Sequence, residues 1–244
     1  MPSIGETQWV HFTSHLKSLN PNLEGPILDL GSGQGDCVLW GLQRGGDAWG
    51  IETDEVRFEQ WNRLLDTNGA PKEWAKRCLH YDGHHMPFEN DYFSAVVSWY
   101  VLEHIPNLAE VMRETARVLK PGGLIYFKAQ DARIGYEGHC DIPWLPFMPR
   151  RFLSPWLEEF GKLEKLQYMT DQVFDFTMDE VAAMLESFGC EIIAVSPKPE
   201  NLIPNHWQYH TEPEIRELAR RLKEDYDQGR YPDHQFPFIK ARKL

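Results

Sequence analysis

The chain has 244 residues, with 25 basic against 37 acidic side chains, a net charge of −12 and a hydrophobic fraction of 42%. These values are those of a globular protein and exclude a mostly disordered chain, a collagen-like rod and a coiled coil. The acidic balance argues against a nucleic-acid partner, whose phosphates must be met by Lys and Arg. The longest uninterrupted apolar run, Val181 to Leu185, falls far short of the roughly 20 residues of a spanning helix, so no membrane insertion is expected. The start, Met1-Pro2-Ser3-Ile4-Gly5-Glu6, shows neither the basic nor the apolar stretch of a secretory signal. Cys37, Cys78, Cys140 and Cys190 are widely spaced and contain no Cys-x-x-Cys, the pattern of reduced thiols in a cytoplasmic protein. Nothing in the sequence sets an oligomeric state.

In chain order, residues 6–20 place Trp9, Phe12, Leu16 and Leu19 at helical spacing, which predicts a leading amphipathic helix. Short apolar runs then alternate with amphipathic segments. Strands are expected at Pro26–Leu30, Ala48–Glu52, Arg77–Tyr81, Phe93–Ser98 and Leu124–Ala129, with helices at Cys37–Leu42 and Val56–Leu65. Asn107-x-x-Glu110 and Thr177-x-x-Glu180 read as capping boxes opening two further helices, the first stopped by Pro121-Gly122-Gly123 and the second by Gly189. Glu191–Val195 reads as a sixth strand, Thr211–Tyr226 as a charged helix with a third box at Glu214, and Phe236–Ala241 as a last strand. The alternation predicts right-handed βαβ crossovers and a doubly wound α/β fold. Residues 131–170, rich in Pro and aromatics, interrupt it after the fifth strand, and an insertion of that length is expected to be functional.

Asp29-Leu30-Gly31-Ser32-Gly33-Gln34-Gly35 stands between the first strand and its helix, where open α/β sheets bind nucleotides. Gly31 permits the tight turn, and Gly33 and Gly35 let a ligand approach the backbone. Glu52 ends the second strand 21 residues beyond Gly31, the place of an acid that accepts hydrogen bonds from ribose hydroxyls. A dinucleotide fingerprint requires a glycine at position 36, which is Asp36 here. A carboxylate at the helix start suits a cationic ligand better than a pyrophosphate and argues against NAD.

Asp29–Gly35 with Glu52 resembles the first two motifs of the class I S-adenosylmethionine-dependent methyltransferases. The resemblance continues through Tyr81-Asp82-Gly83-His84-His85-Met86-Pro87-Phe88 and Ser98-Trp99-Tyr100-Val101-Leu102-Glu103-His104-Ile105 to Leu119-Lys120-Pro121-Gly122-Gly123. It covers roughly residues 24–130. It implies a Rossmann-like, mostly parallel seven-stranded sheet with an antiparallel last strand, and S-adenosyl-L-methionine as cofactor. Carried over residue by residue, it implies that Asp29, Gly31, Ser32 and Gly33 hold the methionine part. Glu52 would take the ribose with Thr53 beside it, Asp82 the adenine amino group, and Gly83 a backbone contact to the adenine. The segment Ser98-Trp99-Tyr100 would pass the sulfonium, with its backbone near the methyl donor. The organisation expected is a single methyltransferase domain over residues 1–244. Within it lie the leading helix (6–20), the cofactor-binding core (24–130), a lid and substrate insert (131–170), and C-terminal helices and last strands (171–244).

The methyl acceptor should be read by the variable parts: residues 6–20, residues 131–170 and the region from Asn201 onward. Within Tyr136-Glu137-Gly138-His139-Cys140-Asp141-Ile142-Pro143-Trp144, His139 is the candidate general base, its ring oriented by Glu137 or Asp141. His104, expected at a helix start, is the second candidate. His84 and His85 are adjacent and should point apart on a strand, and no metal site is expected. Ser98-Trp99-Tyr100-Val101 lacks the Asn-Pro-Pro-Tyr pattern of amide and base acceptors. The activity expected is O-methylation of a hydroxylated small molecule, a sugar, glycan precursor or natural product. The alternatives are N- or C-methylation of a small molecule or protein, and a catalytically silent cofactor-binding protein.

Overall fold

The structure, a computed structural model, describes residues 3–196, 211–230 and 237–244. Residues 201–210 of the expected acceptor-reading region and Phe236 of the expected last strand lie outside the described residues. Helix α1 (Ile4–Leu19) is capped by Ser3, whose Oγ accepts the Glu6 N–H at 3.1 Å. Next come β1 (Ile27–Leu30), α2 (Asp36–Gln43), β2 (Ala48–Glu52), α3 (Glu55–Thr67), β3 (Cys78–His80), β4 (Phe93–Trp99), α4 (Leu108–Val118) and β5 (Leu119–Lys128). The insert carries a small hairpin of β6 (Tyr136–Glu137) and β7 (Ile142–Pro143), then α5 (Leu153–Glu159) and α6 (Leu166–Asp171). It is followed by α7 (Met178–Ser187), β8 (Cys190–Ser196), α8 (Glu212–Asp227) and β9 (Phe238–Lys243).

Seven strands form one sheet in the order β3-β2-β1-β4-β5-β9-β8. The first five are parallel, and β9 runs antiparallel between β5 and β8. This is the Rossmann-like architecture expected from the alternation and the resemblance. Strand order reverses between β1 and β4, the switch point at which such sheets bind ligands.

The central strands are apolar on both faces because both faces are covered. Ala95 and Val97 of β4 pack with Phe12 and Leu16 of α1. Val96 faces the other way, into the cluster of Val111 and Met112 from α4 and Val181 and Leu185 from α7. No described helix is long and apolar enough to cross a membrane.

The insert builds a core of its own. Ile142, Phe152, Trp156, Leu157 and Met169 pack with Ile215 and Ala219 of α8, so Phe152, Trp156 and Phe160 are buried, while Phe147 and Tyr168 stay exposed. The indole N–H of Trp156 donates to the Pro143 carbonyl at 3.1 Å. At its start the insert is fastened by one buried carboxylate. Asp131 accepts the backbone N–H and Nε of Arg133, both at 2.8 Å, and the Met178 N–H at 2.7 Å. Arg133 also pairs with Asp179 at the start of α7.

Local readings were corrected in four places. Asn107 precedes α4, but its side chain makes no cap hydrogen bond; its Nδ2 donates to the Gly83 carbonyl at 3.2 Å and to Glu110 at 3.0 Å. The box at Thr177 forms as expected. α4 stops at Val118 because Leu119 already pairs with Phe93, and Pro121-Gly122-Gly123 falls in the irregular part of β5. His84 and His85 follow the end of β3 on a bend rather than a strand, and both turn to acids of α4, Glu110 at 2.8 Å and Glu114 at 2.9 Å. His104 ends a short 3₁₀ turn, Leu102–His104, instead of opening a helix.

The Asp131–Arg133 pair yields a stability prediction. Both side chains are almost fully buried, so removing Asp131 leaves the buried Arg133 guanidinium with only the half-exposed Asp179 as counter-charge and the Met178 N–H without its acceptor. Asp131→Ala is expected to lower the unfolding free energy by about 3–5 kcal/mol in urea titration. A loss within the error of wild type would mean that the pair fastens nothing.

Candidate active site

The glycine turn is held in shape from β2. The N–H groups of Gly31 and Ser32 both donate to the Ile51 carbonyl, at 2.9 and 3.0 Å. Gly31 has φ +73°, and a Cβ there would stand 2.5 Å from both methyls of Val101. At Gly33, φ +58°, a Cβ would meet nothing within 4 Å, because this residue faces open space. Glu52 is buried and its carboxylate gathers three backbone donors: Oε2 accepts the Gly33 N–H at 2.8 Å, and Oε1 those of Thr53 and Asp54 at 2.9 Å.

Two cavities meet at this turn. One of about 370 Å³ is lined by Asp29, Gly31, Ser32, Gly33, Trp99 and Tyr100, with Ile4 and Gln8 of α1 closing one side. The other, of about 210 Å³, is lined by Gly31, Glu52, Thr53, Tyr81, Tyr100, His104 and Tyr168. Asp29 is buried, and burial pushes its carboxyl up to about 7.

The acid at each cavity and the open face at Gly33, with Trp99 and Tyr100 along the wall, suit a ligand with a cationic centre and ribose hydroxyls. The residues present therefore fit S-adenosylmethionine.

The remaining expected residues fall into two groups. Gly83 lies against Thr53, and Asp82 stands exposed beside Tyr81. Asp82 Oδ1 accepts the N–H groups of His85 and His84, which hold its carboxyl below the ordinary carboxylate range. Trp99 lines the larger cavity, with the Lys128 ammonium 4.0 Å from its ring centre. Ser98 does not present its hydroxyl to a cavity; its Oγ donates to the Leu30 carbonyl at 2.9 Å and ties β4 to β1.

The two candidate histidines come together. His139 Nε2 lies 3.2 Å from His104 Nε2, across 35 residues of sequence. His139 Nδ1 faces Glu137 Oε1 at 2.6 Å, so Glu137 orients the ring, while Asp141 bonds the hydroxyls of Tyr136 and Tyr226. His104 Nδ1 donates to the Gln172 carbonyl at 2.6 Å. Burial lowers the pKa of His104. Burial works in the same direction on His139, but the Glu137 carboxylate outweighs it and leaves the pKa raised. Tyr100, Arg57, Tyr168 and Gln172 also line the site. Only a non-glycine residue at φ +55°, as Tyr100 is, marks itself locally, and that is a property of the backbone rather than of the sequence.

Comparison with known proteins agrees with this arrangement. The family model described as "Methyltransferase domain" matches residues 28–127. A sterol 4-C-methyltransferase of Caenorhabditis elegans is 36% identical over 98 residues, 39% of this chain and 28% of that protein. A demethylmenaquinone methyltransferase of Bacillus licheniformis is 26% identical over 190 residues, 73% of this chain and 76% of that protein. Against the Bacillus cereus demethylmenaquinone methyltransferases the matched region is 50% of their length.

Among solved structures, an S-adenosylmethionine-dependent methyltransferase from Mesorhizobium loti has a TM-score of 0.56 at 18% identity, covering 94% of this chain and 96% of that one. The geranyl diphosphate C-methyltransferase of Streptomyces coelicolor, solved with S-adenosyl-L-homocysteine, has a TM-score of 0.58 at 14% identity, covering 98% and 76%. The methyltransferase-domain match over residues 28–127, the sheet order and the glycine turn with its acid make this chain similar to the class I S-adenosylmethionine-dependent methyltransferases.

Proposed function

We propose that the chain transfers the methyl group of S-adenosylmethionine to an oxygen of a small hydroxylated molecule, a sugar, glycan precursor or natural product, in the cytoplasm. One observation carries the reading: His104 lines the same cavity as Gly31 and Glu52, and His139 lies 3.2 Å from it. Asp29, Gly31, Ser32 and Gly33 would hold the methionine part, Glu52 and Thr53 the ribose, and Asp82 and Gly83 the adenine. The backbone of Ser98 and Trp99 would run past the methyl donor.

The cofactor, when bound, supplies a methyl carbon on a sulfonium, electrophilic without help from side chains. The protein's part is position, exclusion of water and the fate of a proton. Tyr100 and Tyr168 flank His104 in the cavity and give an acceptor apolar walls. With Asp29, Gly31, Ser32 and Gly33 holding the cofactor, the acceptor oxygen would be placed in line with its methyl group. The hydroxyl proton goes to the His104–His139 pair. The insert, which carries both His139 and Tyr168, covers the reacting atoms.

The relatives support a second reading of the acceptor atom. Their names specify a sterol 4-C position, demethylmenaquinone and geranyl diphosphate, which favours methylation at carbon. The same pair would then take a proton from carbon or from an enol.

Two outcomes test these assignments. Glu52→Ala removes a buried acceptor from a bound hydroxyl, so calorimetry should show S-adenosylmethionine binding weakened by about 1–3 kcal/mol, roughly 5- to 150-fold. An unchanged affinity in folded protein would take Glu52 out of the ribose site. With an acceptor in hand, His139→Ala should lower turnover by roughly 10²–10⁴ while the cofactor affinity stays put. Turnover within a few-fold of wild type would leave the histidine structural.

A further inference from the structure

We infer that Glu103, His104 and His139 form a binding site for one divalent cation of the zinc type, beside the cavity that His104 lines. One carboxylate oxygen of Glu103 and one ring nitrogen of each histidine lie within 4.8 Å of one another. Glu103 and His104 come from the turn after β4, and His139 from the loop between β6 and β7.

The hydrogen bonds of the two rings decide what their facing nitrogens are. The Gln172 carbonyl can only accept, so His104 Nδ1 carries a proton, and the Glu137 carboxylate places one on His139 Nδ1. In neutral imidazoles both Nε2 atoms are then lone pairs, and they face each other at 3.2 Å. Two lone pairs hold that separation only with a positive charge between them, a shared proton or a metal ion. With Zn–N bonds of about 2.0–2.1 Å, bond angles between 90° and tetrahedral put two ligand nitrogens about 2.9–3.3 Å apart. The observed spacing falls in that range.

Two further observations choose the metal. Each ring donates its other N–H to an acceptor, one to a backbone carbonyl and one to a carboxylate, which is the arrangement that orients metal-binding histidines. Glu103 is fully buried; one oxygen accepts the Gln130 N–H at 3.3 Å, and Oε2 has no hydrogen-bond partner among the described residues. A proton between the rings leaves that oxygen unanswered, whereas a divalent cation answers it directly. Two imidazoles and one carboxylate make a borderline ligand set suited to Zn²⁺ or Co²⁺, with a coordination position left open. The ligands lie in no recognisable spacing motif, which is why the sequence carried the opposite expectation.

The inference does not depend on the identity of the acceptor, and it changes the pair's part in the proposed function: with both Nε2 atoms on the metal, the ion would acidify a bound hydroxyl in place of proton uptake by the rings. His139→Ala is inactive whether the pair holds a proton or a metal, so metal uptake is what separates the two. Protein stripped with chelator and desalted is titrated with Co²⁺ and followed by visible absorption, then back-titrated with Zn²⁺. The expected result is one Co²⁺ per chain, with the intensified d–d bands of a low-symmetry site, displaced by Zn²⁺. His139→Gln and Glu103→Gln should each weaken Co²⁺ binding at least tenfold, and Glu137→Gln, whose carboxylate holds His139 by Nδ1 and by its backbone N–H, by roughly 10- to 100-fold. Wild-type protein whose Co²⁺ spectrum remains that of the free aqueous ion overturns the inference, whatever the variants do. Stoichiometric binding untouched by His139→Gln in a variant with wild-type circular dichroism overturns it equally. S-adenosylmethionine binding, measured separately, reports on the methyltransferase reading alone.

Discussion

The carboxylate of Glu52 is the interaction on which the site depends. It ends β2, yet its two oxygens collect N–H groups from both the glycine turn after β1 and the first residues beyond β2. Buried backbone donors without a partner are costly, so this acid, together with the Ile51 carbonyl that takes the Gly31 and Ser32 N–H groups, fixes the relative position of the two loops. The loops it joins are those that frame the two cavities. An acid used this way is already desolvated and pointed inward before any ligand arrives, which is the preorganisation that binding needs.

The second constraint acts from the insert. Asp131 binds Arg133 and the first N–H of α7, and Arg133 reaches on to Asp179, so the insert leaves β5 in a defined direction. Its own core, completed by α8, keeps the segment compact. The consequence is chemical: a residue of the β6–β7 loop is delivered onto a histidine of the β4 turn that lines the cofactor cavity. Sheet and insert each supply half of the polar cluster, and neither half is a site alone.

What was legible in the sequence was what short-range physics writes into it. Strands buried on both faces read as apolar runs, the turn declared itself by Gly31, Gly33 and Gly35, and Glu52 by its place at a strand end. Thr177 and Glu180 formed their box because nothing else competed for them. Asn107 did not, because the Gly83 carbonyl and Glu110 offered its amide better partners across the fold. The same blindness hid Tyr168 and Gln172, which reach the cavity only through the folding of the insert, and it hid the burial of Glu103. Ser98 was read by its motif and turned out to fasten two strands. Local pattern finds the residues that the backbone positions; those positioned by tertiary packing have no local signature.

The central claim is that the cavities around Gly31 and Glu52 are built for an adenosyl sulfonium cofactor and not for a dinucleotide. Calorimetric titration of the wild-type protein with S-adenosylhomocysteine, and separately with NAD, tests it most directly. The account predicts saturable binding of one S-adenosylhomocysteine per chain and no heat of binding with NAD. Binding of NAD, or no binding of S-adenosylhomocysteine to folded protein, would contradict it.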